Sequence, residues 1–84
     1  MATNESKPTV YSRPATISFD IQGFKIWGQY WEPPKFKEDG SYTLDFMVTG
    51  SQGPSHKRPP LDTGHWYRLD NKRWEISAIL TPVI

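Results

Sequence analysis

The stretch GFKIWGQYWEPPKFKEDGSYTLDFMV, residues 23–48, holds most of the chain's aromatic side chains and reads as two strands joined by a basic loop. A strand sends successive side chains to opposite faces, so Lys25, Trp27, Gln29 and Trp31 share one face and Phe24, Ile26, Gly28 and Tyr30 the other. Both faces are then partly aromatic. A small sheet buries only one face in its own core, which leaves the Trp27 and Trp31 face to be covered by more protein, a partner, or a ligand that stacks on flat rings. Pro33 and Pro34 cannot both lie in a central strand, so this strand ends near Trp31 or Glu32. Glu38, Asp39, Gly40 and Ser41 form an acidic turn in which glycine supplies the positive φ. The second strand follows at once, with Tyr42, Leu44, Phe46 and Val48 on its apolar face against Thr43, Asp45, Met47 and Thr49.

Upstream, Ile17, Phe19 and Ile21 alternate with Ser18, Asp20 and Gln22, the pattern of a half-buried strand. A lone Gly23 between two alternating segments predicts a β-bulge that bends one long strand, since a plain hairpin needs a turn of more than one residue. Residues 1–14, MATNESKPTVYSRP, are polar and broken by two prolines, and are expected to be a flexible N-terminal tail. Residues 15–84 are expected to form a single β-barrel domain.

Downstream, Gly50 to Gly64 is rich in glycine and proline and predicts a long exposed loop carrying His56, Lys57 and Arg58. The last segment predicts a hairpin: Trp66 to Leu69, a turn at Asp70, Asn71 and Lys72, then Arg73 to Leu80. No stretch has a helical period, and eight prolines oppose one. The fold class is therefore all-β with little or no helix, a small five-stranded OB-like barrel or, alternatively, an SH3-like barrel. Its expected core is Ile17, Phe19, Ile21, Phe24, Ile26, Leu44, Phe46, Val48, Trp74, Ile76 and Ala78.

Composition narrows the function classes. Eighty-four residues allow one modest core. The absence of cysteine excludes disulfides and thiolate metal sites and gives no sign of an oxidising compartment. A net charge of +1 is far from that of a dedicated duplex-DNA binder, so affinity for nucleic acid has to come from local patches. With no apolar run of membrane-spanning length and no signal-peptide pattern, no membrane association is expected, and the cytoplasm, or the host cytoplasm for a viral protein, is the expected compartment.

The cluster Lys25, Trp27, Tyr30, Trp31, Lys35, Phe36 and Lys37 suits single-stranded nucleic acid, because bases stack on exposed rings while ammonium groups neutralise phosphates. The competing account is that the rings are core. Trp27 and Trp31 are the rings expected on the open face. Lys57 and Arg58, with His56 between Pro54 and Pro59, could clamp a bound backbone or could be a solvated loop tip. Arg73, with Arg68 and Lys72, could flank the same groove or pair with Glu75 and Asp70. The nucleic-acid-binding set is accordingly Lys25, Trp27, Trp31, Lys35, Phe36, Lys37, Lys57, Arg58 and Arg73.

Catalysis has little to draw on. His56 and His65 match no compact metal-ligand spacing, and Asp62 with His65 lacks a nucleophile turn and an oxyanion hole. No enzyme activity, cofactor or metal is expected.

The order Phe24 to Trp31, Glu32-Pro33-Pro34-Lys35-Phe36, Glu38-Asp39-Gly40 and Tyr42 to Val48 resembles the OB-fold single-stranded DNA-binding proteins of tailed bacteriophages over about a third of the chain. The resemblance implies a protein that coats transient single strands in replication or recombination. The chain departs from that family in its apolar ending, Ala78 to Ile84, and in having the Gly50 to Gly64 loop in place of a helix. The leading expectation is a non-sequence-specific single-stranded DNA-binding protein. The alternative is a small protein-binding module, a phage-encoded inhibitor or assembly subunit that uses the same Trp-rich face; an SH3-like peptide binder is a third. The apolar ending on so short a chain predicts a homodimer.

Overall fold

The structure, a computed structural model, describes residues 10–81. In chain order the elements are β1 (Ala15–Ile21), β2 (Phe24–Tyr30), β3 (Lys35–Phe36), β4 (Tyr42–Gln52), β5 (Trp66–Asp70), α1 (Asn71–Trp74) and β6 (Ile79–Thr81). They form one antiparallel sheet that curls into an open half-barrel, so the fold is all-β and barrel-like. Thr43 pairs with both Lys35 and Asp70, and Met47 with both Gln29 and Trp66. A strand has two edges, so β2 and β3 share one edge of β4 and β5 takes the other. Across the sheet the order is thus β5, β4, β2 with β3, β1 and β6.

The inner face follows the alternation. Phe24, Ile26, Gly28 and Tyr30 point inward from β2, as do Ile17 and Phe19 from β1 and Leu44, Phe46 and Val48 from β4, all buried. Ala15, Tyr42, Leu61 and Leu69 complete the core, and Ile21, Trp74, Ile76 and Ala78, expected there, are partly buried against it. Phe46 is fully enclosed, with Phe19 and Trp74 edge-on to its ring and Tyr67 tilted beside it.

The bulge expected at Gly23 is instead a tight hairpin turn. Ile21 pairs with Phe24, and the two residues between, Gln22 and Gly23, have φ of 51° and 82°. Two consecutive left-handed residues match the right-handed twist of the flanking strands, so glutamine supplies the second turn position that a lone glycine lacked. The bulge falls one strand over: Trp27 pairs with Gly50 and Gly28 with Val48, which leaves Thr49 unopposed. Through it β4 continues to Gln52, so Gly50, Ser51 and Gln52, expected in the long loop, belong to the strand.

The last segment is not the expected hairpin. Residues 73–80 do not pair back on β5, because Asp70 caps a single helical turn by accepting from the N–H groups of Lys72 and Arg73. The Asn71 side chain accepts from the Tyr42 N–H at 2.8 Å, which ties that turn to β4. Glu75 ends it in the left-handed region, and Trp74 packs edge-on against Phe19 and Phe46 across the open side of the half-barrel. β6 then pairs with β1, Leu80 opposite Ile17.

In the segment expected as a tail, Tyr11 donates its N–H to the Trp31 carbonyl and sets its ring edge-on to Tyr30. Residues 1–9 lie outside the described residues. Of the ending on which the dimer expectation rests, Ile76 and Leu80 pack on the chain's own core, Ile79 is exposed, and residues 82–84 lie outside the described residues.

Candidate functional site

The outer face of the sheet gathers what the core leaves out. Lys25, Trp27 and Gln29 project outward from β2, Thr43, Asp45 and Met47 from β4, and Trp66, Arg68 and Asp70 from β5, because their neighbours in each strand are the buried inner residues. Trp27 lies over Gly50, and a side chain there would only touch its ring. The next outward row runs Gln29, Met47, Trp66. Trp31, just past the end of β2, leans over β4 to meet Trp66, with ring centres 5.6 Å apart and planes tilted by 45°.

Three of the chain's four tryptophans therefore share one open face. Trp66 is 58% exposed and Trp27 38%. Trp66 is not among the residues expected on this face, although alternation with inward Leu69 puts it on the outer side. Beside it an open cleft of about 530 Å³ is lined by Glu32, Asp45, Trp66, Tyr67 and Arg68. A smaller pocket of about 70 Å³ adjoins it through Glu32, Asp45 and Arg68 and reaches Lys35.

The expected cations divide by position. Lys35, opposite Thr43, is on the outer face near the cleft. Lys25 is on the same face at the far end, 3.7 Å from Asp20. Lys37 bonds Asp70 at 2.7 Å, and Arg73 follows the Asp70 cap on α1, so both belong to the end of the sheet beyond Lys35. Phe36 is not part of the Trp face: it pairs with inward-facing Tyr42, its ring 5.5 Å from that ring, at the rim where the core runs out. It is 70% exposed. Lys57 and Arg58 occupy the exposed tip of the connection between β4 and β5, where Arg58 pairs with Asp62 at 3.4 Å. Among the described residues no hydrogen bond, ion pair or ring contact joins that tip to the tryptophans.

That connection is tied down at its base. Leu61 is buried, Asp62 N–H donates to the Tyr67 hydroxyl, and Gly64 N–H donates to the Val48 carbonyl.

Arg68 grips Asp45 through both carboxylate oxygens, at 2.8 and 3.4 Å. The Arg68 hydrogen bond holds the Asp45 carboxyl below its usual range, and the same contact raises the guanidinium. Glu32 differs: half-buried at the cleft, it has no hydrogen bond or ion pair among the described residues. Among the described residues no group of three side chains could hold a metal ion, and no helix is long and apolar enough to cross a membrane.

No protein-family model, curated protein or solved structure matches this chain, so the likeness to phage single-stranded DNA-binding proteins rests on the residues quoted for it.

Proposed function

We propose that this protein binds single-stranded nucleic acid, stacking bases on Trp27, Trp31 and Trp66 without reading a defined sequence. The observation that carries the reading is that these three indoles open on one sheet face, with Lys35 at its edge. Stacking on such rings tolerates every base, and each stacked base contributes about 1–3 kcal/mol. The path from Lys25 to Lys35 runs along β4 from Gln52 to Thr43, roughly 30 Å at about 3.3 Å per residue, enough for a short run of nucleotides. Exposed ion pairs such as Lys25 with Asp20 are worth little, so phosphate can displace the carboxylate. A role in replication or recombination, coating transient single strands, belongs to the same proposal.

A second reading, docking of a protein on the Trp face, is favoured by the charge balance. Lys25, Lys37, Arg58 and Arg68 each have an aspartate partner, which mutes the positive field that phosphate seeks. Titration with a thymidine dodecamer and a duplex of equal length, followed by indole fluorescence at several salt concentrations, separates the two. Single strands are expected to quench and duplex barely, since a paired base has no free face. The affinity is expected to fall steeply with salt. No quenching at low salt would overturn the nucleic-acid reading and leave the face to a protein partner.

A further inference from the structure

Glu32 makes no hydrogen bond or ion pair among the described residues, and its negative charge does not suit a phosphate backbone. The residue is half-buried, and with nothing donating to its carboxylate among the described residues both oxygens are open to a donor from a ligand. Two features place it. The following Pro33 biases Glu32 away from helical backbone, and Glu32 and Trp66 line the same cleft. Asp45 is the other carboxylate there, but both its oxygens are engaged by Arg68.

We infer that a base stacked on Trp66 presents its Watson–Crick edge to Glu32, which selects bases by their N–H donors and so favours guanine and disfavours thymine and uracil. The inference rests on the nucleic-acid reading above. Guanine carries two adjacent donors, N1–H and the N2 amine, which match the two oxygens of one carboxylate. Cytosine and adenine each offer one exocyclic amine beside a ring-nitrogen acceptor. Thymine and uracil offer one N–H flanked by two carbonyls, which would face the carboxylate with like partial charge. The discrimination is local to one subsite, so it gives a base preference within sequence-tolerant binding.

The test uses three dodecamers at fixed salt: all thymidine, alternating thymidine and deoxyguanosine, and alternating thymidine and deoxyinosine, which lacks the N2 amine. Affinity is taken from titration midpoints, because guanine quenches indole more strongly whatever its affinity. The guanine strand is expected to bind about tenfold more tightly than the thymidine strand, with inosine between them. In Glu32→Gln the guanine-to-thymidine ratio should collapse towards one. The ratio is the readout because removing a negative charge raises affinity for every strand alike, and among the described residues Glu32 has no hydrogen-bond or ion-pair partner to lose. Equal binding of the three strands would overturn the Glu32 assignment while the nucleic-acid reading stands, as would a preference that survives in Glu32→Gln. Failure of all three to bind would overturn both.

Discussion

Two faces of one strand divide the work of this molecule. From β2, Ile26 and Tyr30 turn inward and are 0% and 2% exposed, while Trp27, between them, turns outward and is 38% exposed. The inner side chains are buried between β2 and the facing core residues, so a change of one methyl group is felt there. The outer side chains rest on the sheet and touch solvent on the other side. Stability thus depends mainly on one face, and the other is free to vary without loss of packing.

The largest effect that would test this division is on the inner face. Phe46→Ala is expected to lower unfolding free energy by about 3–5 kcal/mol, read as a fall in denaturant midpoint at unchanged slope, because three rings abut the space it leaves. A glycine pair sharpens the contrast. A Cβ at Gly28 would come within 2.8 Å of the Met47 carbonyl oxygen and 2.9 Å of the Phe46 ring, whereas one at Gly50 would meet only the Trp27 ring, at 3.6 Å. Gly28→Ala should cost about 1–3 kcal/mol and Gly50→Ala within about 0.5 kcal/mol. Equal losses would mean that the faces are not mechanically distinct.

On the outer face the loss is expected in binding and not in stability. Trp66→Ala, Trp31→Ala and Trp27→Ala are each expected to weaken thymidine-dodecamer binding by about 1–3 kcal/mol and to leave the denaturant midpoint nearly unchanged. A variant that loses stability and binding together would show that its ring is structural. Lys35→Ala should act more weakly, lowering the magnitude of the log-affinity against log-salt slope by about 0.7.

The smallest effect concerns acid. The Asp45, Asp39 and Asp70 carboxyls are held below their usual range, mainly by hydrogen bonds from Arg68, Ser41 and Lys37 respectively. A depressed folded-state pKa gives stability that is present above the unfolded value, about 3.9 for aspartate, and is lost as pH falls below it. The melting temperature should therefore be insensitive to these groups from pH 7 to about 5 and decline below about 4. Asp45→Asn should make that decline shallower.

The faces of β2 and β4 were legible because period-two alternation survives even at Gly28, where an inward position needs no side chain at all. The Gln22-Gly23 turn was not, since nothing in a glutamine side chain announces a φ of 51°. Nor was the turn after β5. Asp70 before Asn71 is a good cap, but four residues are too few to show a helical period, and the bond that anchors Asn71 goes to distant Tyr42. The candidate site was half legible. Trp27 and Trp31 announced an aromatic face, but Trp66 joins them only because β4 lies between β2 and β5. Phe36 is near that face only in sequence, and its pairing with Tyr42 turns it to the other.

The pairing of β6 with β1, Thr81 opposite Thr16, has a consequence for how the chain could be rewired. In an antiparallel pair the chain enters one strand beside the point where it leaves the other, so a linker of a few residues could join position 81 to position 15. New termini could then be opened at the exposed tip near His56 and Lys57, outside every described strand. In such a circular permutant the same sheet would form in a different order of synthesis. The old ends would become an ordinary hairpin, and the domain could be spliced into a surface loop of another protein with its outer face still open.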